Sequence, residues 1–158
     1  MKLRYKILIG VAAVAVIGFA GFQAFMYSIH YYATAPVYQT SRGALDGYDP
    51  VAYFATGGPQ LGKAELTHDW GGATWHFATA ENLAAFREDP ERYAPQFGGY
   101  CAYAVANGYT AKTAPEAWDI ADGRLYLNFD EATREKWRQD KTALIRAAVA
   151  NWPAVIRD

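Results

Sequence analysis

Cysteine occurs once in the 158 residues, at Cys101. No disulfide can close within the chain, and no multi-cysteine zinc centre can form. The short catalytic signatures are missing as well: there is no Cys-x-x-Cys, no His-Glu-x-x-His, no Gly-x-Ser-x-Gly and no glycine-rich phosphate loop. Gly57-Gly58 and Gly71-Gly72 read as turns rather than nucleotide cradles. Acidic residues are absent before Asp46, where all 16 begin, whereas Lys2, Arg4 and Lys6 open the chain. The remainder carries 12 basic residues against those 16 acidic ones. An acidic body with no basic stripe argues against a nucleic-acid partner. No internal repeat or low-complexity segment is present.

Apolar and aromatic residues are plentiful. Hydrophobic residues make up 52% of the chain and aromatics 16%, so a core can form without staples. The run from Ile7 to Tyr27 is apolar apart from Gln23, close to the ~20 residues a helix needs to cross the hydrocarbon core. Lys2, Arg4 and Lys6 then remain cytoplasmic, which sends the body to the extracytoplasmic, periplasmic side of the inner membrane. Tyr27, Tyr31 and Tyr32 would form the far aromatic belt, with His30 beside them. The rival is a cleaved signal peptide, since Ala33-Thr34-Ala35 has the small-x-small form of a cleavage site. The length of the apolar run and Pro36 after the scissile bond favour an anchor. The expected organisation is an anchor with flanks over residues 1–35, a tether over 36–44 and one domain over 45–158.

Within that domain, Asp46-Gly47 and Asp49-Pro50 punctuate, and Val51 to Phe54 reads as a brief strand or bend. Leu66, His68 and Trp70 alternate with Glu65, Thr67 and Asp69, and Gly71-Gly72 turns the chain into Ala73 to Phe77. His68 should point inward and His76 outward. Thr79 caps a helix reaching about Asp89, and Pro90 suits the start of another short turn. Trp118, Ile120, Leu125 and Leu127 flank Asp122-Gly123, a type I′ hairpin signal. Asn128 to Glu131 resembles a capping box opening a helix from about Asp130 to Ala150. The fold class is α+β: one transmembrane helix plus a small domain of two β-hairpins packed with helices, sharing a single core of Trp70, Trp75, Phe77, Phe86, Trp118, Leu125, Leu127 and Trp137.

The stretch Phe97-Gly98-Gly99-Tyr100-Cys101-Ala102-Tyr103 carries the chemistry that is left. Its glycines read as a flexible hinge, and Ala104 to Gly108 as helical turns closed by Asn107-Gly108. Backbone N–H groups at the helix start would lower the Cys101 pKa below ~8.5 and favour thiolate chemistry. The plainer reading is a small apolar residue in a tyrosine-rich core. His68, Tyr48, Asp49, Tyr53, Tyr100 and Tyr103 are the side chains that could join Cys101 in a site. Asp46 and Asp49 also read simply as turn formers.

Gly47-Tyr48-Asp49-Pro50-Val51-Ala52-Tyr53-Phe54, Trp75-His76-Phe77, Asn82 to Phe86, Pro90-Glu91-Arg92-Tyr93 and Gly98-Gly99-Tyr100-Cys101 together resemble a YHS domain, closest to bacterial membrane-anchored or exported ones. The resemblance covers Leu45 to about Trp152. It implies soft-metal binding in relatives with cysteines at positions that here are Ala52, Ala78 and Asn82. None of these can supply a thiolate. Three readings stay open: a module binding Cu(I) or another soft ion through Cys101 and His68, thiol redox chemistry at Cys101 without a resolving cysteine, and a structural subunit joining a larger membrane complex through its helix. The expectation is a membrane-anchored binding or accessory protein rather than an enzyme.

Overall fold

The structure, a computed structural model, describes residues 35–156. The expected membrane helix over residues 7–27 lies outside the described residues, as does His30. Among the described residues no helix is long and apolar enough to cross a membrane.

Residues 36–44, expected as a tether, belong to the folded unit. Gln39–Thr40 (β1) pairs antiparallel with Gly43–Ala44 (β2), while Val37 and Ala44 are buried. The polar look of the stretch comes from the face this small hairpin turns outward. Two of those polar side chains converge on one neighbour. Thr40 donates to Asp46 at 2.7 Å, and Arg42 is ion-paired with the same carboxylate.

The two larger hairpins form where the alternation places them. Lys63–Trp70 (β3) pairs with Ala73–Phe77 (β4) through Gly71-Gly72, with His68 opposite Trp75. Both turn glycines have positive φ, 63° and 80°, which suits a tight two-residue connection. Trp118–Ala121 (β5) pairs with Arg124–Leu127 (β6) through Asp122-Gly123, whose φ values of 50° and 71° fit a type I′ turn. The three ribbons do not join into one sheet.

Val51 to Phe54 is not a strand. Ala52–Ala55 (α1) is a single helical turn. Ala80–Glu88 (α2) starts at Thr79, whose side chain accepts the Asn82 N–H, and Pro90–Tyr93 (α3) starts at Asp89, which accepts the Arg92 N–H. Ala102–Ala106 (α4) follows Cys101. The long helix expected from Asp130 to Ala150 is two: Glu131–Gln139 (α5), capped by Asp130, and Lys141–Asn151 (α6). The break falls at Asp140 (φ −140°, ψ 49°), because aspartate's short polar side chain favours helix ends over interiors.

The single core expected from the aromatic residues is in fact two clusters. Trp75, Phe77, Phe86, Leu125 and Leu127 belong to one, with Trp70 and Trp118 packed on its edge. Phe97, Tyr100, Val105, Tyr126 and Trp137 belong to the other, with Leu144 and Trp152 against it. Strand β6 divides them. Leu125 and Leu127 face one cluster and Tyr126 faces the other, as the two-residue period of a strand requires. A strand buried on both faces gives no inside–outside alternation, so its sequence alone does not announce two cores.

Candidate functional site

Asp49 is fully buried, and its carboxylate is occupied on both oxygens. Oδ1 accepts the N–H groups of Val51 and Ala52 at 2.8 and 3.2 Å. Oδ2 accepts the N–H of Ala78 at 2.8 Å and the side-chain amide of Asn82 at 2.7 Å. A carboxylate removed from water is tolerable only with such compensation. Asp49 therefore ties the start of α1 to the end of β4 and the first turn of α2. The positions that the resemblance assigns to ligating cysteines, Ala52, Ala78 and Asn82, all donate to this one anion. They do meet in space, and here they surround a carboxylate with hydrogen-bond donors.

Tyr48 and Tyr53 flank this brace. Tyr48 bridges to Leu61 through the backbone. The Tyr53 ring packs edge-on against Trp118 at 5.5 Å, and its hydroxyl donates to the Pro115 carbonyl at 3.1 Å. Burial, reinforced by Glu116, Tyr48 and Asp49, pushes the Tyr53 phenol far above its ordinary value. It stays protonated and serves as a donor.

Cys101 lies in the second cluster's neighbourhood and is 1% exposed. Its N–H donates to Ala111 O at 3.1 Å, and its carbonyl accepts the Val105 N–H at 3.0 Å. The thiol faces Asn128 Oδ1 at 3.8 Å, an atom that also accepts the Tyr103 N–H at 3.3 Å. Burial pushes the Cys101 thiol up, and the N–H groups of Ala104, Phe129 and Tyr103 only partly offset it. The lowered pKa expected from the helix start is thus reversed, because desolvation of the sulfur outweighs a few dipoles. Nor is Gly98-Gly99 a hinge. A Cβ on Gly98 would lie 2.0 Å from the Pro36 carbonyl oxygen, and one on Gly99 would press on Pro95 and Leu45. Tyr38 N–H donates to Gly98 O at 2.9 Å, and the Tyr100 hydroxyl donates to Ala35 O at 3.0 Å. Gly98 admits the backbone of Pro36 and Val37, and Gly99 the side chains of Pro95 and Leu45.

The other expected partners fall elsewhere. His68 is half-buried, with its ring edge-on to Phe86 at 6.2 Å in the first cluster's neighbourhood. His76 is half-buried too, packed under Gly43 and Gly62. Tyr100, next to Cys101 in the chain, belongs to the second cluster, and Tyr103 packs against it. The structure thus forms two groups, Tyr48–Asp49–Tyr53 with Asn82 and Cys101–Tyr103 with Asn128, and places His68 apart from the thiol. Among the described residues no group of three or more His, Cys, Asp or Glu side chains is placed to hold a metal ion.

Asn128 is the partner that sequence reasoning missed. It is fully buried, and among the described residues its Nδ2 has no hydrogen-bond partner. The available signal was its place one residue beyond Leu127, on the Tyr126 face of a strand buried on both sides.

Comparison with known families detects a YHS domain at residues 53–97, under a third of the chain. His68, Ala78 and Asn82 lie within the matched span, and Asp49 and Cys101 lie outside it. No curated protein and no solved structure matches the chain.

Proposed function

We propose that this chain is a non-enzymatic binding or accessory module of the extracytoplasmic side, held to the membrane by a helix over residues 7–27 and serving a larger membrane complex. The observation that supports this reading is the Asp49 brace. Where soft-metal ligands would converge, four N–H donors close on a carboxylate, so the centre of the domain is spent on joining α1, β4 and α2. Cys101, with its thiol buried and pushed up, fits the same picture. A second reading is soft-metal or redox chemistry at Cys101; the observation beside it is the Asn128 amide, whose Nδ2 has no partner among the described residues and is a donor of the kind that could stabilise a thiolate.

Thiol labelling of the full chain in membranes separates the two. Cys101 should react with iodoacetamide at neutral pH far more slowly than free cysteine, and neither Cu(I) nor peroxide should change that. Protection by Cu(I) that His68→Ala relieves would overturn the proposal in favour of a metal site. A sulfenic acid trapped by dimedone would overturn it in favour of redox chemistry.

A further inference from the structure

A cleft of about 390 Å³ is lined by Pro36, Val37, Trp70, Pro95, Trp152 and Ile156, among others. It shares Trp70, Ala94, Pro95 and Trp152 with a neighbouring cleft of about 430 Å³, which adds Val149, 61% exposed. The two make one apolar face, assembled from the β3–β4 turn, the loop before Phe97 and the end of α6. Neither the Asp49 brace nor the Cys101 pocket uses it. We propose that this face seats on the headgroup region of a zwitterionic phospholipid bilayer, with Trp70 and Trp152 as its interfacial anchors.

Three observations carry the assignment, which rests on the anchor reading above. The first is chemistry. Half-buried indoles offer an apolar body and one N–H, the combination that settles at the membrane–water boundary. Pro36 and Pro153, both exposed, add apolar surface without an N–H to desolvate.

The second is reach. Pro36 and Val37 line the cleft themselves, and the chain is held there by the Tyr38–Gly98 and Tyr100–Ala35 hydrogen bonds. The apolar run ends at Tyr27, so residues 28–35 alone intervene. Fully extended, they span at most roughly 30 Å. The face beside Pro36 is therefore the one at which the short connection from the apolar run enters the body.

The third is charge. The rim carries Glu91 and Arg124, one of each sign, which complements a headgroup bearing both phosphate and ammonium.

The five tryptophans, Trp70, Trp75, Trp118, Trp137 and Trp152, all lie in the body, so tryptophan emission reports on it alone. The full chain is reconstituted in phosphatidylcholine nanodiscs, with and without bromines high on the acyl chains. Brominated lipid should quench the emission, and the double variant Trp70→Phe/Trp152→Phe should lose more than half of that quenching. Val149→Asp, at an exposed position outside both cores, should also reduce it and guards against a misfolded aromatic variant. Emission indifferent to bromine, from protein that still co-purifies with the discs, would overturn the docking proposal while leaving the anchor intact. A crosslinked dimer in the same indifferent sample would give the face to a second copy. Failure to co-purify with discs at all would remove the anchor, and this inference with it.

Discussion

The Asn82 side-chain amide donates to Asp49 Oδ2 at 2.7 Å, joining residues 33 apart in sequence. That bond is one of four on one buried carboxylate, and the other three come from the backbone N–H groups of Val51, Ala52 and Ala78.

Removing the acceptor should therefore cost more than removing one donor. Asp49→Ala strands the N–H groups of Val51, Ala52 and Ala78, at about 1–3 kcal/mol for each buried group left unpaired. A total on the order of 3–5 kcal/mol is expected. Asn82→Ala should cost about 1–2 kcal/mol, since the carboxylate keeps its other donors. Urea unfolding of both variants checks the order, and an Asn82→Ala loss exceeding that of Asp49→Ala contradicts it.

Asp119 sets an acid limit. Burial pushes its carboxyl up, but hydrogen bonds from Arg138 and Arg134, both at 2.9 Å, outweigh this and leave it below the usual range. A depressed folded value means the contribution is fully present above the unfolded pKa, about 3.9, and is lost as pH falls through the folded one. The stability gap between wild type and Asp119→Asn should accordingly be constant near neutrality and shrink below about pH 4. Urea midpoints measured from pH 7 to pH 3 test this; a gap that widens in acid contradicts the sign.

The two clusters predict additivity. Phe86→Ala and Trp137→Ala should each cost on the order of 3–5 kcal/mol, as both side chains are fully buried. The milder pair Phe86→Leu and Trp137→Phe keeps a double variant folded. Their effects should sum to within about 0.5 kcal/mol, as expected for sites without shared partners. A coupling well above that in a double-mutant cycle would mean β6 does not insulate the cores.

Gly98 and Gly108 make a matched comparison, with φ of 60° and 85°. A Cβ at Gly98 meets Pro36 O, whereas one at Gly108 meets open space. Gly108→Ala should cost about 1–2 kcal/mol, the backbone penalty alone. Gly98→Ala should cost more and speed proteolytic cleavage near residues 35–38. Equal losses would show that the close approach contributes nothing.

The hairpins and helix starts were legible in the sequence because their causes are local. Two-residue alternation with Gly71-Gly72 or Asp122-Gly123 between the runs defines a ribbon, and Thr79, Asp89 and Asp130 cap the helices they precede. What escaped depends on partners distant in sequence. The 36–44 segment folds because Gly98 leaves room for Pro36. Local reading makes Asp49 a turn former, and only the arrival of Ala78 and Asn82 makes it a brace. Cys101 shows the same limit with the opposite sign. Its helix start was visible, while the burial that pushes the thiol up and its contact with Asn128 depend on residues distant in sequence.

The way Ala35 to Tyr38 is fastened also has a mechanical consequence. Tension applied to the chain at residue 35 is borne first by the Tyr100 hydroxyl on Ala35 O and by Tyr38 N–H on Gly98 O. Both bonds load the Gly98–Tyr100 turn that leads directly into Cys101. A pull from that end reaches the turn before Cys101 first, so load enters the domain at that turn while the Asn128 side of the thiol's surroundings still holds.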